Sequence, residues 1–214
     1  MAKTAIAVIG GTGKLGSGLA LRWARAGHAV LIGSRDAARA AEAAAEIGNG
    51  ARGLANAKAA AAGEVVAVTV PFASQAEILT DIRGGVAGKI VVDTTVPLMP
   101  PKVARVQLPA TGSAALAAQA LLGEKARVVS AFHNVAAHKL SLDGPIDCDV
   151  LVFGDAPADR EVAVGLAEAA GLRGVHGGPL ANSAAAEALT SVLIGINKRY
   201  KANGAGVRIT GIDG

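Results

Sequence analysis

An apolar run from Thr4 to Ile9 (TAIAVI) passes directly into Gly10-Gly11-Thr12-Gly13-Lys14-Leu15-Gly16 and then into a stretch with helical composition. No other feature constrains the chain so tightly. Gly11, Gly13 and Gly16 form G-x-G-x-x-G between a strand and a helix, the context in which this spacing marks a dinucleotide site. Gly11 is expected to permit the tight turn, and Gly16 to let the helix lie close to the strand. Gly13 lets backbone approach a pyrophosphate seated on the helix N-terminus, where unpaired N–H groups amount to about half a positive charge. Thr12, Lys14 and Leu15 occupy the same turn and are candidate cofactor contacts with it.

Beyond the turn, short β-branched runs alternate with Ala-rich stretches, the pattern of parallel β-α-β units. Strands are predicted at 4–9, 29–32, 51–54, 64–70, 89–93 and 127–132, with helices filling the gaps. After residue 140 come a strand at 149–153, a helix near 157–170, a short strand at 173–176 and a long helix from about 182 to 200. The first and fourth runs are almost continuously apolar, as central strands covered on both faces should be. The expected fold is a Rossmann-type, doubly wound α/β sheet. Residues 1–140 form the dinucleotide domain, and residues 141–214 a small α/β lobe. In the last helix Leu189, Val192, Leu193 and Ile196 share one face and Lys198, Arg199 and Lys201 sit at its end, which suits either a core face with C-terminal charge or a helix that faces an anion or the partner in a homodimer.

The end of the second strand chooses between cofactors. NAD-binding proteins place Asp or Glu there for the ribose hydroxyls, whereas this chain has Gly33-Ser34-Arg35, with Arg39 one helical turn further on. A guanidinium pairs bidentately with a 2′-phosphate and stacks on adenine, and Ser34 adds a hydroxyl donor. NADP is therefore expected rather than NAD. Asp36 follows the Arg and is read as an early-helix residue facing the helix dipole.

Composition removes several classes of partner. Of the 214 residues, 51% are hydrophobic and 18% charged, which excludes a disordered chain. Aromatics are 2%, too few for a stacking platform on single-stranded nucleic acid. The net charge of +4 comes from interleaved Lys, Arg, Asp and Glu rather than a basic stripe, so a small anionic ligand fits better than nucleic acid. No apolar stretch reads as a membrane span or a leader, and the single cysteine, Cys148, fits a small buried hydrophobe in a reducing compartment. The expectation is a cytoplasmic protein.

In an open α/β sheet the ligand lies beyond the carboxyl ends of the strands. Candidate residues are then Thr69-Val70-Pro71-Phe72, Thr94-Thr95-Val96-Pro97 and His133-Asn134-Val135. His133 could bond a bound ring or act as an acid, whereas His28, His138 and His176 read as structural. A dehydrogenase acting on an alcohol moves a proton as well as a hydride, and a well-placed Lys, His or Tyr for that step is hard to find. Tyr200 and Lys201 are adjacent rather than in a Tyr-x-x-x-Lys arrangement, and Cys148 with scattered histidines has no metal-ligand spacing.

Taken together, GGTGKLG at 10–16, GSR at 33–35, VP at 70–71, SAFHNV at 130–135, GPLANS at 178–183 and the terminal ALTSVLIGINKRYK followed by RITGI resemble the F420-dependent NADP reductases. The resemblance spans essentially the whole chain and implies hydride exchange between NADP(H) and the deazaflavin coenzyme F420. It implies Thr12, Ser34, Arg35 and Arg39 on the 2′-phosphate side of NADP, and Val70, Pro71, His133 and Val135 as walls of the nicotinamide and deazaflavin pocket. Asn134 lies in the same turn, and His133 would position the deazaflavin. The acidic tail of F420 gives Lys139, Lys198, Arg199 and Lys201 a use. The chain departs from the family pattern at Ala136, where proline is common, and at Phe72, where tryptophan often follows the proline. Two other readings are an NADP-dependent reductase of a small carbonyl, imine or flavin acceptor, and a non-enzymatic NADPH sensor.

Overall fold

The computed structural model describes residues 3–212. Its first half alternates strand and helix: β1 (Ala5–Ile9), α1 (Lys14–Arg25), β2 (Ala29–Ser34), α2 (Ala37–Ile47), β3 (Arg52–Ala55), α3 (Asn56–Ala62), β4 (Val65–Val68), α4 (Phe72–Ile82), β5 (Ile90–Asp93), α5 (Ala114–Leu122) and β6 (Arg127–Ser130). Then follow β7 (Asp149–Phe153), α6 (Pro157–Ala169), β8 (Arg173–Gly178) and α7 (Ser183–Tyr200). All the strands join one eight-stranded sheet in the order β3-β2-β1-β4-β5-β6-β7-β8. Pairing is parallel throughout except between β6 and β7, which meet antiparallel through Ser130 and Phe153. The chain reverses its direction of travel across the sheet between β1 and β4, which creates a crevice at their carboxyl ends.

Helices cover both faces, and the strand side chains divide accordingly. Ile6, Val8, Val65, Ala67, Ile90 and Val92 point to one core, and Ala7, Ile9, Val66, Val68 and Val91 to the other. Both sides are apolar, which is why these strands read as unbroken hydrophobic runs rather than alternating ones. With few aromatics available, Trp23 is the largest filler. It is fully buried, its indole N–H donates to the Leu166 carbonyl at 2.8 Å, and its ring meets Phe132 edge-on at 5.9 Å.

Residues 139–144 and the end of α6 are fastened to α1 by Arg22. Its guanidinium donates to the carbonyls of Leu140 (2.8 Å), Gly144 (3.1 Å), Ala170 (2.8 Å), Leu142 (2.6 Å) and Lys139 (3.4 Å). Burial lowers its pKa from the usual arginine value.

One expectation is corrected. The gap between β5 and α5 is not filled by helix from its start, because residues 94–113 form an irregular excursion before α5 begins. Pro97, Pro100, Pro101 and Pro109 each lack the N–H that a helix interior requires.

Candidate functional site

The Gly-rich turn closes on itself through backbone bonds. Gly13 N–H donates to the Gly10 carbonyl at 2.9 Å, Gly11 N–H to that of Val8 at 3.2 Å, and Gly10 N–H to that of Gly33 at 3.1 Å. The glycine that makes the turn is Gly10 rather than Gly11: Gly10 has φ +78°, the left-handed region that glycine enters without steric cost. Gly11 is required for space, since a Cβ there would lie 2.8 Å from the Val8 carbonyl oxygen. Gly13 is the N-cap of α1 and offers no side chain to its first N–H groups, so these remain available to an anion. A Cβ on Gly16 would meet the Thr69 hydroxyl and lie 2.8 Å from the Gly10 carbonyl oxygen, so helix and turn are in the close contact the spacing implied.

Hydroxyls hold the strand ends level around this turn. Thr69, just past β4, donates its N–H and its Oγ1 to the Ile9 carbonyl, each at 2.9 Å. Thr94, just past β5, does the same to Val68, at 3.1 and 3.0 Å. The result is a cleft of about 290 Å³ lined by Gly10, Thr12, Gly13, Ser34, Arg35, Asp36, Arg39, Asn56, Thr69, Val70, Pro71, Ser74 and Ile78.

Arg35 and Arg39 enter the cleft exposed, and among the described residues neither pairs with a carboxylate. Asp36 is the N-cap of α2, its Oδ1 accepting from Ala38 N–H at 2.9 Å and Arg39 N–H at 3.3 Å. Its carboxylate is thus engaged by the helix, and the β2 side of the cleft presents two guanidiniums that have no carboxylate partner among the described residues. Asn56 supplies a further sign of a missing partner: it is 2% exposed, lines the cleft, and among the described residues its Oδ1 has no hydrogen bond. A buried acceptor left bare costs about 1–3 kcal/mol, so the site fits a ligand that donates to it. A cradle without Cβ atoms at the phosphates, two cations at the ribose and an orphan acceptor beside them fit NADP.

The predicted residues divide between this cleft and its surroundings. Thr12, Gly13, Ser34, Arg35, Arg39, Val70 and Pro71 converge on it. Gly11 and Gly16 are buried behind the turn, and Leu15 packs on the core. Lys14 faces a second groove, shared with Ser17, Gly18, Ala137 and His138. His133 and Asn134 are each 7% exposed at the end of β6. His133 Nε2 lies 2.7 Å from Ser130 Oγ, and desolvation takes its pKa down to about 3. Burial thus disfavours the protonated imidazole. Asn134 Nδ2 donates to the Ala186 carbonyl (2.9 Å) and Thr190 Oγ1 (3.1 Å), and Val135 packs on the core. Cys148 is buried, its pKa raised by desolvation. On α7, Leu193 is buried, whereas Val192 and Ile196 are exposed, so that stripe is not one core face.

Asn56, Ser74 and Ile78 are cleft residues that the sequence reading passed over. Asn56 follows β3 immediately and obeys the same strand-end rule that selected the others. Ser74 and Ile78 sit in the first two turns of α4, where an amphipathic helix gives no mark of ligand contact.

Fold and site together define a dinucleotide-binding α/β protein of the oxidoreductase kind. Residues 5–97 match the family model described as NADP oxidoreductase, coenzyme F420-dependent. An F420-dependent NADP reductase of Methanothermobacter thermautotrophicus is 41% identical over 97% of this chain and 95% of its own length. A crystal structure from Arthrobacter sp. FB24, itself proposed to be an F420-dependent NADP reductase, superposes with a TM-score of 0.82 at 28% identity, covering 97% of this chain and 99% of that one. A reductive aminase from Aspergillus terreus shares the fold alone, with a TM-score of 0.66 at 20% identity over 93% of this chain and 63% of its own. The chain belongs to the F420-dependent NADP reductase family.

Proposed function

We propose that this protein exchanges hydride directly between NADP(H) and the deazaflavin coenzyme F420. The observation that carries the reading is the ribose end of the cleft, where Arg35 and Arg39 stand unpaired while Asp36 is held by α2. The nicotinamide C4 and the deazaflavin C5 supply the hydride chemistry themselves, so the protein's share is orientation. The N-terminus of α1 holds the pyrophosphate, Thr12, Ser34, Arg35 and Arg39 the 2′-phosphate side, and Asn56 a donor of the adenosine. Val70 and Pro71, tied level with β1 through Thr69, form an apolar wall at the reacting end, and the His133-Asn134-Val135 turn closes the neighbouring side.

A carbonyl or imine reductase would need a proton donor beside the hydride. The titratable residues of the cleft are Arg35, Asp36 and Arg39, all on the β2 side. The discriminating experiment mixes the protein with oxidised F420 and either NADPH or NADH and follows deazaflavin absorbance. Loss of absorbance with NADPH and little with NADH is expected. Tight NADPH binding without exchange would overturn the reading.

Residues 141–214 complete the acceptor pocket in this account, and α7 joins two copies of the chain. Val192, Ile196 and Tyr200, spaced four apart on α7, are 47%, 37% and 75% exposed and supply an apolar stripe for that contact. The partners are small molecules and the location is cytoplasmic, a reading supported by interleaved charge and a lone buried thiol. Among the described residues no helix is long and apolar enough to cross a membrane.

A further inference from the structure

Residues 94–113 leave the sheet at the carboxyl end of β5, between the β4 end that carries Val70 and the β6 end that carries His133. Irregular connections beyond about 12–15 residues are uncommon in compact domains and usually have a function. The two ends of this loop are joined by a buried polar network. At its start, Asp93 accepts from Thr95 Oγ1 (2.6 Å) and Thr95 N–H (3.1 Å). Gln75 of α4 then bridges start to finish, its Nε2 donating to Asp93 Oδ2 (2.7 Å) and to the Ala114 carbonyl (3.1 Å). At the far end Glu187 of α7 accepts the N–H groups of Ala114 (2.7 Å) and Ala115 (3.1 Å), the first turn of α5. Gln75, Asp93 and Glu187 are no more than 2% exposed.

α7 holds more than the base of the loop. One helical turn beyond Glu187, Ser191 Oγ donates to the Arg105 carbonyl in the loop's middle at 3.4 Å. The adjacent residues fasten the neighbouring wall: the Ala186 carbonyl accepts from Asn134, and Thr190 Oγ1 donates to the His133 carbonyl at 2.9 Å. A single face of α7, residues 186, 187, 190 and 191, therefore anchors both loops that emerge beyond β5 and β6. Burying carboxylates raises the pKa of Asp93 to about 6 and of Glu187 to about 7. Retaining two such groups in the interior is costly for a purely structural tie.

We propose that Glu187 and Gln75 are positioning residues for hydride exchange, closing loop 94–113 at its base and setting it, through α7, in register with the His133 turn as the two walls that hold the hydride acceptor. The inference rests on the proposed exchange between NADP(H) and F420. It requires the acceptor side, and not the NADPH side, to suffer when the network is cut, because none of its hydrogen bonds reaches the cleft residues that follow β1 and β2, from Gly10 to Gly13 and from Ser34 to Arg39.

The test uses the full chain with Glu187→Gln, Gln75→Met and Ser191→Ala, and Val30→Ala as a control destabilised at the far end of β2. KM for oxidised F420, kcat, and the NADPH Kd from fluorescence titration are measured for each. Glu187→Gln and Gln75→Met are expected to raise the F420 KM about tenfold or more while the NADPH Kd stays within about twofold, Ser191→Ala to do so more weakly, and Val30→Ala to leave both unchanged. Trypsin should also cut after Lys102 and Arg105 sooner in the network variants than in Val30→Ala. An unchanged F420 KM, or equal losses for both substrates, would overturn the positioning role. If Glu187→Gln does not fold, the Ser191→Ala constants decide by the same criteria. A wild-type chain that exchanges no hydride would overturn the functional reading itself, an outcome distinct from active wild type with indifferent variants.

Discussion

Ser130 Oγ and His133 Nε2 lie 2.7 Å apart across a turn in which Phe132 holds φ +66°. A left-handed Phe is uncommon and costs energy. It persists because the ring is buried against Trp23 and the imidazole behind it is tied to the serine. Replacing Ser130 by Ala leaves a buried ring nitrogen without a partner, a loss of about 1–3 kcal/mol in urea unfolding. The same burial sets a pH dependence. His133 titrates near 3 when folded and near 6.5 when unfolded, so the unfolded chain binds the extra proton between those values. Its contribution to stability is complete above about pH 6.5 and falls as pH drops toward 3. Asp93 and Glu187, with raised pKa values, act in the opposite direction over part of that window. The clean measurement is therefore the difference between wild type and His133→Gln: the variant should lose less stability on acidification.

Arg35→Ala should weaken NADPH far more than it slows turnover. In the proposed site the guanidinium meets the 2′-phosphate, remote from the reacting carbons, so its bonds would be equal in ground and transition states. Losing charge-assisted bonds of about 1.5–3 kcal/mol raises the NADPH KM roughly 10- to 150-fold. Steady-state kinetics with NADPH and NADH read the result, and an undiminished preference for NADPH would contradict the cofactor assignment.

Gly16→Ala probes the phosphate cradle from behind. The added methyl would meet the Thr69 hydroxyl and lie 2.8 Å from the Gly10 carbonyl oxygen and 2.9 Å from the Gly11 Cα. Two of these are backbone atoms of the turn itself, which must shift. An increase in NADPH Kd of about tenfold or more, equivalent to roughly 1.4 kcal/mol, is expected by titration.

Arg22 separates a guanidinium from a mere positive charge. Five carbonyls converge on it, and a lysine ammonium has three donors without the planar fork. Arg22→Lys should therefore destabilise nearly as much as Arg22→Met, each on the order of 3 kcal/mol, because buried carbonyls are left unmet in both. Rescue by lysine in denaturant titrations would show that charge alone matters there.

The Gly-rich turn, the two arginines that line the cleft and most strands are legible in the sequence because each is a local pattern: glycine spacing, a missing acid at a strand end, unbroken apolar runs. The assignment of the turn to Gly11 failed by one position, since two adjacent glycines look alike until φ is known. Loop 94–113 departs from the expected helix-filled gap because its four prolines each lack the N–H that a helix interior requires, and α5 starts only at Ala114. Gln75, Asp93 and Glu187 were invisible for a different reason. Each looks like an ordinary polar residue on its own element, and only the packing of α7 on α5 brings Glu187 to the helix start at Ala114.

The most direct measurement is the fate of a deuterium placed on the transferring face of the nicotinamide C4. Single turnover with labelled NADPH and oxidised F420 in ordinary water, followed by mass spectrometry of the reduced deazaflavin, should find the label at C5. Reduced deazaflavin carrying hydrogen from solvent instead would contradict direct transfer, and with it the account of a site built to orient two coenzymes rather than to move protons.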